Sequence, residues 1–228
     1  IGSVKLRLYS FYKKYNHLLI LLYFIVYMAW FSYVEKTVTT HFNVVHVALD
    51  DYIPFCEYFV IPYLLWFPFV AWGVLYMALH NKSDYYKLCA FLFTGMTIFL
   101  IISTVYPNGH YLRPTYFSHH NICTMLCEYL YATDTPSNLF PRIHVYNSLG
   151  IFLAVINNKH LSKNKTVCLV TLLLTVSIIL STMFIKQHSV FDVCCAFILA
   201  AVMNLIVYRH SWARVPTTGK AGNGLTLE

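Results

Sequence analysis

TVCLVTLLLTVSIILSTMFI, residues 166–185, followed at once by Lys186-Gln187-His188-Ser189-Val190-Phe191-Asp192, is the stretch that decides the fold. Its first twenty residues contain no Asp, Glu, Lys, Arg or His. A bilayer core about 30 Å thick is crossed by about 20 helical residues of this kind. Five further apolar runs flank it, at 18–34, 58–79, 88–105, 143–156 and 190–208, each bounded by charged or Pro/Gly-containing segments. The run at 143–156 is the weakest, being short and interrupted by Asn147 and Ser148. It counts as a span because polar residues in a bundle can face other helices. The expectation is an all-α fold: a six-helix transmembrane bundle with a long loop between helices 3 and 4.

Composition agrees. The chain of 228 residues is 58% apolar, 18% aromatic and only 11% charged. Soluble domains carry about 25% charge, and disorder needs low hydrophobicity, so both classes are excluded. Residues 1–210 read as one integral membrane domain, and 211–228 as a disordered tail or vector remnant. The first apolar run follows Lys5, Arg7, Lys13 and Lys14. It is too long for a signal core and lacks a small-residue cleavage site, so it is expected to be a retained helix.

Six crossings put both ends on one side, with the segments near 80–87 and 157–165. That side carries twelve of the sixteen Lys and Arg residues; Lys36, Arg113, Arg142 and Lys186 lie opposite. The positive-inside rule then makes both termini cytoplasmic in a multi-pass protein of the cell membrane. The net charge of +7 is thus a topology signal rather than a nucleic-acid footprint. Seven of the nine acids fall on the extracytoplasmic side: Glu35, Asp50, Asp51, Glu57, Glu128, Asp134 and Asp192.

The segment 106–142 is too long for a plain connector and is expected to carry function, with a short helix near 121–131. Three clusters fall on this side and are expected to converge: Arg113-Pro114; Pro141-Arg142-Ile143-His144; and Lys186 to Asp192. His188 and Asp192 are four apart, on one helix face, where a carboxylate can fix the imidazole tautomer and leave the other nitrogen to attack. Two histidines, one carboxylate and three cations at one depth suit phosphoryl transfer. Guanidinium, ammonium and helix amino-terminal N–H groups stabilise phosphoryl oxygens. His188 would attack phosphorus, and His144 would protonate the leaving oxygen and then activate the acceptor. The alternative is that these histidines and cations sit at the interface and touch lipid headgroups.

The same residues resemble the signatures of the type-2 phosphatidic acid phosphatase superfamily, related in fold to vanadium haloperoxidases. Arg113-Pro114 stands for the end of the first signature, with Tyr106 where its Lys would be. Pro141-Arg142-Ile143-His144 stands for Pro-Ser-Gly-His. Ser181-Thr182, then His188 and Asp192, stands for the third, with Thr182 where Arg is usual. The resemblance covers nearly the whole chain. It implies His188 as nucleophile, Asp192 as its orienting partner, His144 as acid/base and Arg113 as a phosphate ligand. Arg142 and Lys186 bring back the positive charge missing at Tyr106 and Thr182, while Arg142 replaces a small hydroxyl and could crowd the phosphate.

The implied activity is a lipid-phosphate phosphatase, a phosphoric monoester or pyrophosphate hydrolase working through a phosphohistidine. Its partners would be membrane lipids and a lipid phosphate or isoprenoid pyrophosphate substrate. The competing readings are a lipid phosphotransferase of the sphingomyelin-synthase type and a catalytically impaired lipid-phosphate-binding protein. No cofactor is called for. His119, Cys123 and Cys127 recur every four residues, but a fourth ligand is not evident apart from His120. No clustered carboxylates with Mg²⁺-type spacing appear on the outer side, so metal-independent chemistry is favoured. Seven cysteines, an odd count, give no disulfide framework, and a bridge from Cys56 to an outer-loop cysteine is the one pairing left open.

Overall fold

The computed structural model describes residues 15–37, 42–117, 119–134 and 142–209. The segment 211–228 and Pro141 lie outside the described residues. Eight α-helices are described: α1 (Tyr23–Thr37), α2 (Ala48–Tyr52), α3 (Val60–His80), α4 (Lys82–Val105), α5 (Ile122–Thr133), α6 (Ile143–Asn157), α7 (Lys165–Phe184) and α8 (Val190–Asn204). A 3-10 run, Asn16–Leu22, leads into α1, and one π-helical turn, Leu205–Arg209, extends α8. Two short strands, β1 (Asn43–Val44) and β2 (Asn108–Gly109), pair in parallel.

Side-chain caps set several of these helix starts. Asn81 accepts from the amides of Ser83 and Asp84 to open α4, and Asn164 accepts from those of Thr166 and Val167 to open α7. Asn121 with Thr124 boxes the start of α5, and Ser189 with Asp192 that of α8. Each arrangement satisfies amides that the first helical turn leaves unpaired.

All six apolar runs of the sequence are helical. Five helical stretches are long and apolar enough to cross a membrane: Asn16–Thr37, Glu57–His80, Lys82–Val105, Lys165–Phe184 and Val190–Arg209. α6 is shorter, at 15 residues, and sits at the centre, packed against α3, α4, α7 and α8. This explains its polar interruptions: Asn147 and Ser148 are buried against other helices.

Small residues let the backbones around α6 approach closely. Gly150 abuts Phe91 and Leu92 of α4, and Gly73 of α3 abuts Ile151. α1 is peripheral and packs on α4, where Tyr23 stacks on Phe93 at 4.3 Å and Trp30 donates to Thr104 Oγ1 at 3.1 Å. Far from the candidate site, Asp84 Oδ2 accepts from both Asn81 and Asn158, at 2.9 and 2.7 Å, tying the α3–α4 turn to the end of α6.

The tightest of these approaches is testable. A Cβ on Gly95 would clash with the edge of the Tyr146 ring, whose hydroxyl donates to the Phe91 carbonyl at 2.8 Å. Gly95→Ala is therefore expected to destabilise by about 1–3 kcal/mol through overpacking. A lower thermal midpoint in detergent checks it, and an unchanged midpoint would mean that α4 and α6 separate freely.

Candidate functional site

The turn between α7 and α8 builds the first half of the site. After Phe184 the chain reverses: the amides of Gln187 and His188 both donate to the Thr182 carbonyl at 3.1 Å, and Lys186 adopts φ 50°. A left-handed residue commonly ends a helix, usually as Gly. Here a lysine takes that conformation, at a steric cost of about 1–2 kcal/mol.

What holds the turn is Asp50, buried in α2. Its Oδ1 accepts from the amide of Val190 at 2.7 Å. Its Oδ2 accepts from the Ser189 hydroxyl at 2.7 Å and from the Val47 amide at 2.9 Å. Lys186 Nζ donates to the Asp50 carbonyl at 2.6 Å. The carboxylate thus sits at the positive end of α8, where an anion is favoured. Ser189 N donates to Asp192 Oδ2 at 3.2 Å and Phe191 N to Ser189 Oγ at 3.2 Å. The amino end of α8 is therefore occupied by protein acceptors.

A second brace comes from residues 110–113 and α5. His110 is buried; its Nδ1 accepts from the Leu112 amide at 3.2 Å, so its Nε2 carries the proton and donates to the Gln187 carbonyl at 2.8 Å. Arg113 donates to the carbonyls of Tyr131 and Asp134, at 3.2 and 2.8 Å, and to Gln187 Oε1 at 2.5 Å. Its guanidinium lies 4.8 Å from the Tyr131 ring centre, and the Tyr131 hydroxyl donates to the Ile185 carbonyl at 2.6 Å.

His188 and Asp192 both have fully buried side chains, with Nδ1 and Oδ2 3.6 Å apart. That separation is a contact but not the expected hydrogen bond. The reason is that Asp192 Oδ2 is engaged by the Ser189 amide as a helix cap. Burial, more than the nearby charges of Arg142, His110, His144 and Arg113, holds the His188 imidazole well below its usual range and therefore neutral. The two candidate imidazoles thus lie at the same end of the bundle, with both arginines.

His144, in the first turn of α6, is sandwiched between Tyr63 and Trp66 of α3, with ring centres 4.6 and 4.1 Å away and interplanar angles of 18° and 28°. Arg142 donates to the Tyr63 hydroxyl at 2.6 Å. Both residues face a cavity of about 380 Å³ lined by α1, α3, α4 and α5 and by Gln187. Among the described residues, the buried nitrogens His144 Nδ1 and Nε2, Arg142 Nε and Gln187 Nε2 have no hydrogen-bond partner.

Five of the six candidate residues therefore come together: His144, His188, Asp192, Arg113 and Arg142. Lys186 is turned to Asp50, and of the six only Arg142 and His144 line the cavity; Arg113, Lys186, His188 and Asp192 do not. Sequence reasoning missed Asp50, Tyr63, His110 and Gln187 as site residues. His110 and Gln187 offered a signal, one being a histidine three residues before Arg113 and the other adjoining His188.

Among the described residues no group of three or more His, Cys, Asp or Glu side chains is placed to hold a metal ion. All seven cysteines are free, Cys56 included. A scan against protein-family models returned no match, and searches of curated proteins and of solved structures returned none.

His110 gives a pH prediction. Burial pushes it down from 6.5 to about 4, against the opposing bond to the Gln187 carbonyl. Above pH 6.5 both folded and unfolded chains keep it neutral; as pH falls from 6.5 toward about 4, only the unfolded chain takes the proton. Stability is therefore lost across that window, by up to about 3 kcal/mol, and His188 adds in the same direction. The thermal midpoint should fall between pH 7 and 4.5 in the wild type and fall less in His110→Gln. Parallel profiles would remove His110 as the cause.

Proposed function

We propose that the chain is an integral membrane lipid-phosphate phosphatase, crossing the bilayer six times, with both termini cytoplasmic and the site extracytoplasmic. The observation that carries this reading is the cavity headed by Arg142, His144 and Gln187, each with a buried nitrogen that has no partner among the described residues; Glu35 and Asp134 also border it, and the rest of its wall is largely aromatic and apolar. A phosphate brings the oxygens those donors lack, and its lipid chain suits the apolar wall. Met28, Leu64 and Phe67 of that wall are also exposed on the bundle flank, as a lipid approaching from the side requires. At about 22 Å, α6 is short for a crossing, but its neighbours enclose it, so it need not match the lipid thickness.

In this reading the Nε2 lone pair of neutral His188 attacks phosphorus, since Nδ1 faces Asp192. The phosphorus–oxygen bond to the lipid breaks, and His144 gives the leaving oxygen a proton. His144 next takes a proton from water, whose oxygen attacks the phosphohistidine. The phosphorus–nitrogen bond breaks, releasing phosphate and restoring His188. Arg142 stabilises the charge on the phosphoryl oxygens throughout. An arriving phosphate supplies the negative charge that makes a protonated His144 favourable. It must also draw His188 to the cavity wall.

That last requirement favours one competing reading, a lipid-phosphate-binding protein without turnover, because His188 is buried off the wall and Arg142 occupies the place of a small hydroxyl. A phosphorus-labelled lipid phosphate separates the two. Wild type should form alkali-stable phosphohistidine and release phosphate. His188→Ala should lose the label; His144→Ala should keep it while turnover drops by about 10²- to 10⁴-fold. Lipid binding without label or release would establish the competing reading, and equal label in both variants would refute the assigned roles.

A further inference from the structure

Gln187 is buried at 1% exposure, and its amide has two chemically distinct ends in two different surroundings. One end meets Arg113. A guanidinium only donates, so the atom facing it must be the oxygen, Oε1, and the other end must be the NH₂ group. Gln187 lines the cavity with Arg142 and His144, and its NH₂ group has no acceptor among the described residues. A buried amide donor without an acceptor is costly, and native structures seldom keep one without a reason. The backbone around it is pinned independently: the Gln187 amide donates to the Thr182 carbonyl, and its own carbonyl accepts from His110. Backbone and side-chain oxygen are thus both fixed by the protein, and only the donor is left over.

We infer that Gln187 is a ligand-binding residue of this cavity, donating its side-chain NH₂ to a phosphoryl oxygen, and that Arg113 is a positioning residue acting through Gln187 rather than on the phosphate itself. The inference rests on the reading of the cavity as a phosphate site and sharpens it. Arg113 is committed to two backbone carbonyls and to Gln187 Oε1 and does not line the cavity. Its charge still matters, because a cation on the oxygen end polarises the amide and strengthens the N–H donor at the other.

Gln187 is the only glutamine in the chain, so the wild-type protein provides its own probe. Labelling glutamine side chains with ¹⁵N gives a single NH₂ pair, and titration with inorganic phosphate in detergent should shift that pair to lower field in a saturable way. The companion measurement is phosphate affinity by calorimetry. Gln187→Glu keeps the shape and the acceptor for Arg113 but loses the donor, and should bind phosphate at least about tenfold more weakly. Arg113→Met should weaken binding in the wild-type background and add little in Gln187→Glu, the non-additivity expected of residues acting in series.

A saturable binding curve with an unmoved NH₂ pair, or undiminished affinity in Gln187→Glu, overturns the role of Gln187. Equal effects of Arg113→Met in both backgrounds put Arg113 on the phosphate directly and overturn the relay. No phosphate binding by the wild type at all removes the underlying reading of the cavity as well.

Discussion

A buried carboxylate at the amino end of a helix organises this end of the bundle. Asp50 reaches Ser189 and Val190 across 139 and 140 residues of sequence and satisfies a hydroxyl and an amide at the start of α8. The positive end of the helix partners the buried charge, and no Arg or Lys side chain hydrogen-bonds its carboxylate oxygens among the described residues. Lys186 is spent on the Asp50 carbonyl, which holds α2 against the turn and gives a reason for a lysine to tolerate φ 50°. With α8 anchored, His188 and Asp192 have fixed positions one turn apart, although the capping duty of Asp192 keeps it 3.6 Å from the imidazole.

This anchoring divides the polar groups into two sets. The amides at the start of α8 are already paired within the protein, so that helix end offers an anion nothing, and the proposed binding in the cavity draws on side chains. Those side chains are Arg142, His144 and Gln187, and each has at least one buried nitrogen without a partner among the described residues. A helix end stabilises an anion through several weak partial charges fixed in the backbone. A guanidinium and an amide on side chains do so through fewer, stronger donors that can move. That mobility is what a site needs if its nucleophile lies off the cavity wall before the ligand arrives.

The helices were legible in the sequence because membrane-length apolar runs leave few alternatives, and α6 was legible despite Asn147 and Ser148 because its polar residues face neighbouring helices. The placement of His144, His188 and Asp192 at one end of the bundle was legible, since each lies within a turn of a predictable helix start. Asp50, Tyr63 and Gln187 were not. Asp50 was one acid among seven in the reading of that side, and only its long-range contact singles it out. Tyr63 belongs to a run where aromatics are common. Lys186 was grouped with the phosphate cations by charge and depth, but its positive φ and the neighbouring carbonyl of Asp50 decide where its ammonium goes.

Arg142 is where the sequence pattern and the geometry meet. A small hydroxyl at that position would read a phosphate by close fit, whereas a guanidinium reads it by charge and needs room. The room is provided by Tyr63, which accepts one guanidinium N–H at its hydroxyl while its ring stacks on His144. The same aromatic side chain therefore restrains the cation and the acid/base candidate together. A ligand that pulled Arg142 from the hydroxyl would loosen the stack that confines His144. Under the proposed function, the shared ring would couple the arrival of charge at Arg142 to the position of the imidazole, while Trp66 stays stacked on His144 at 4.1 Å.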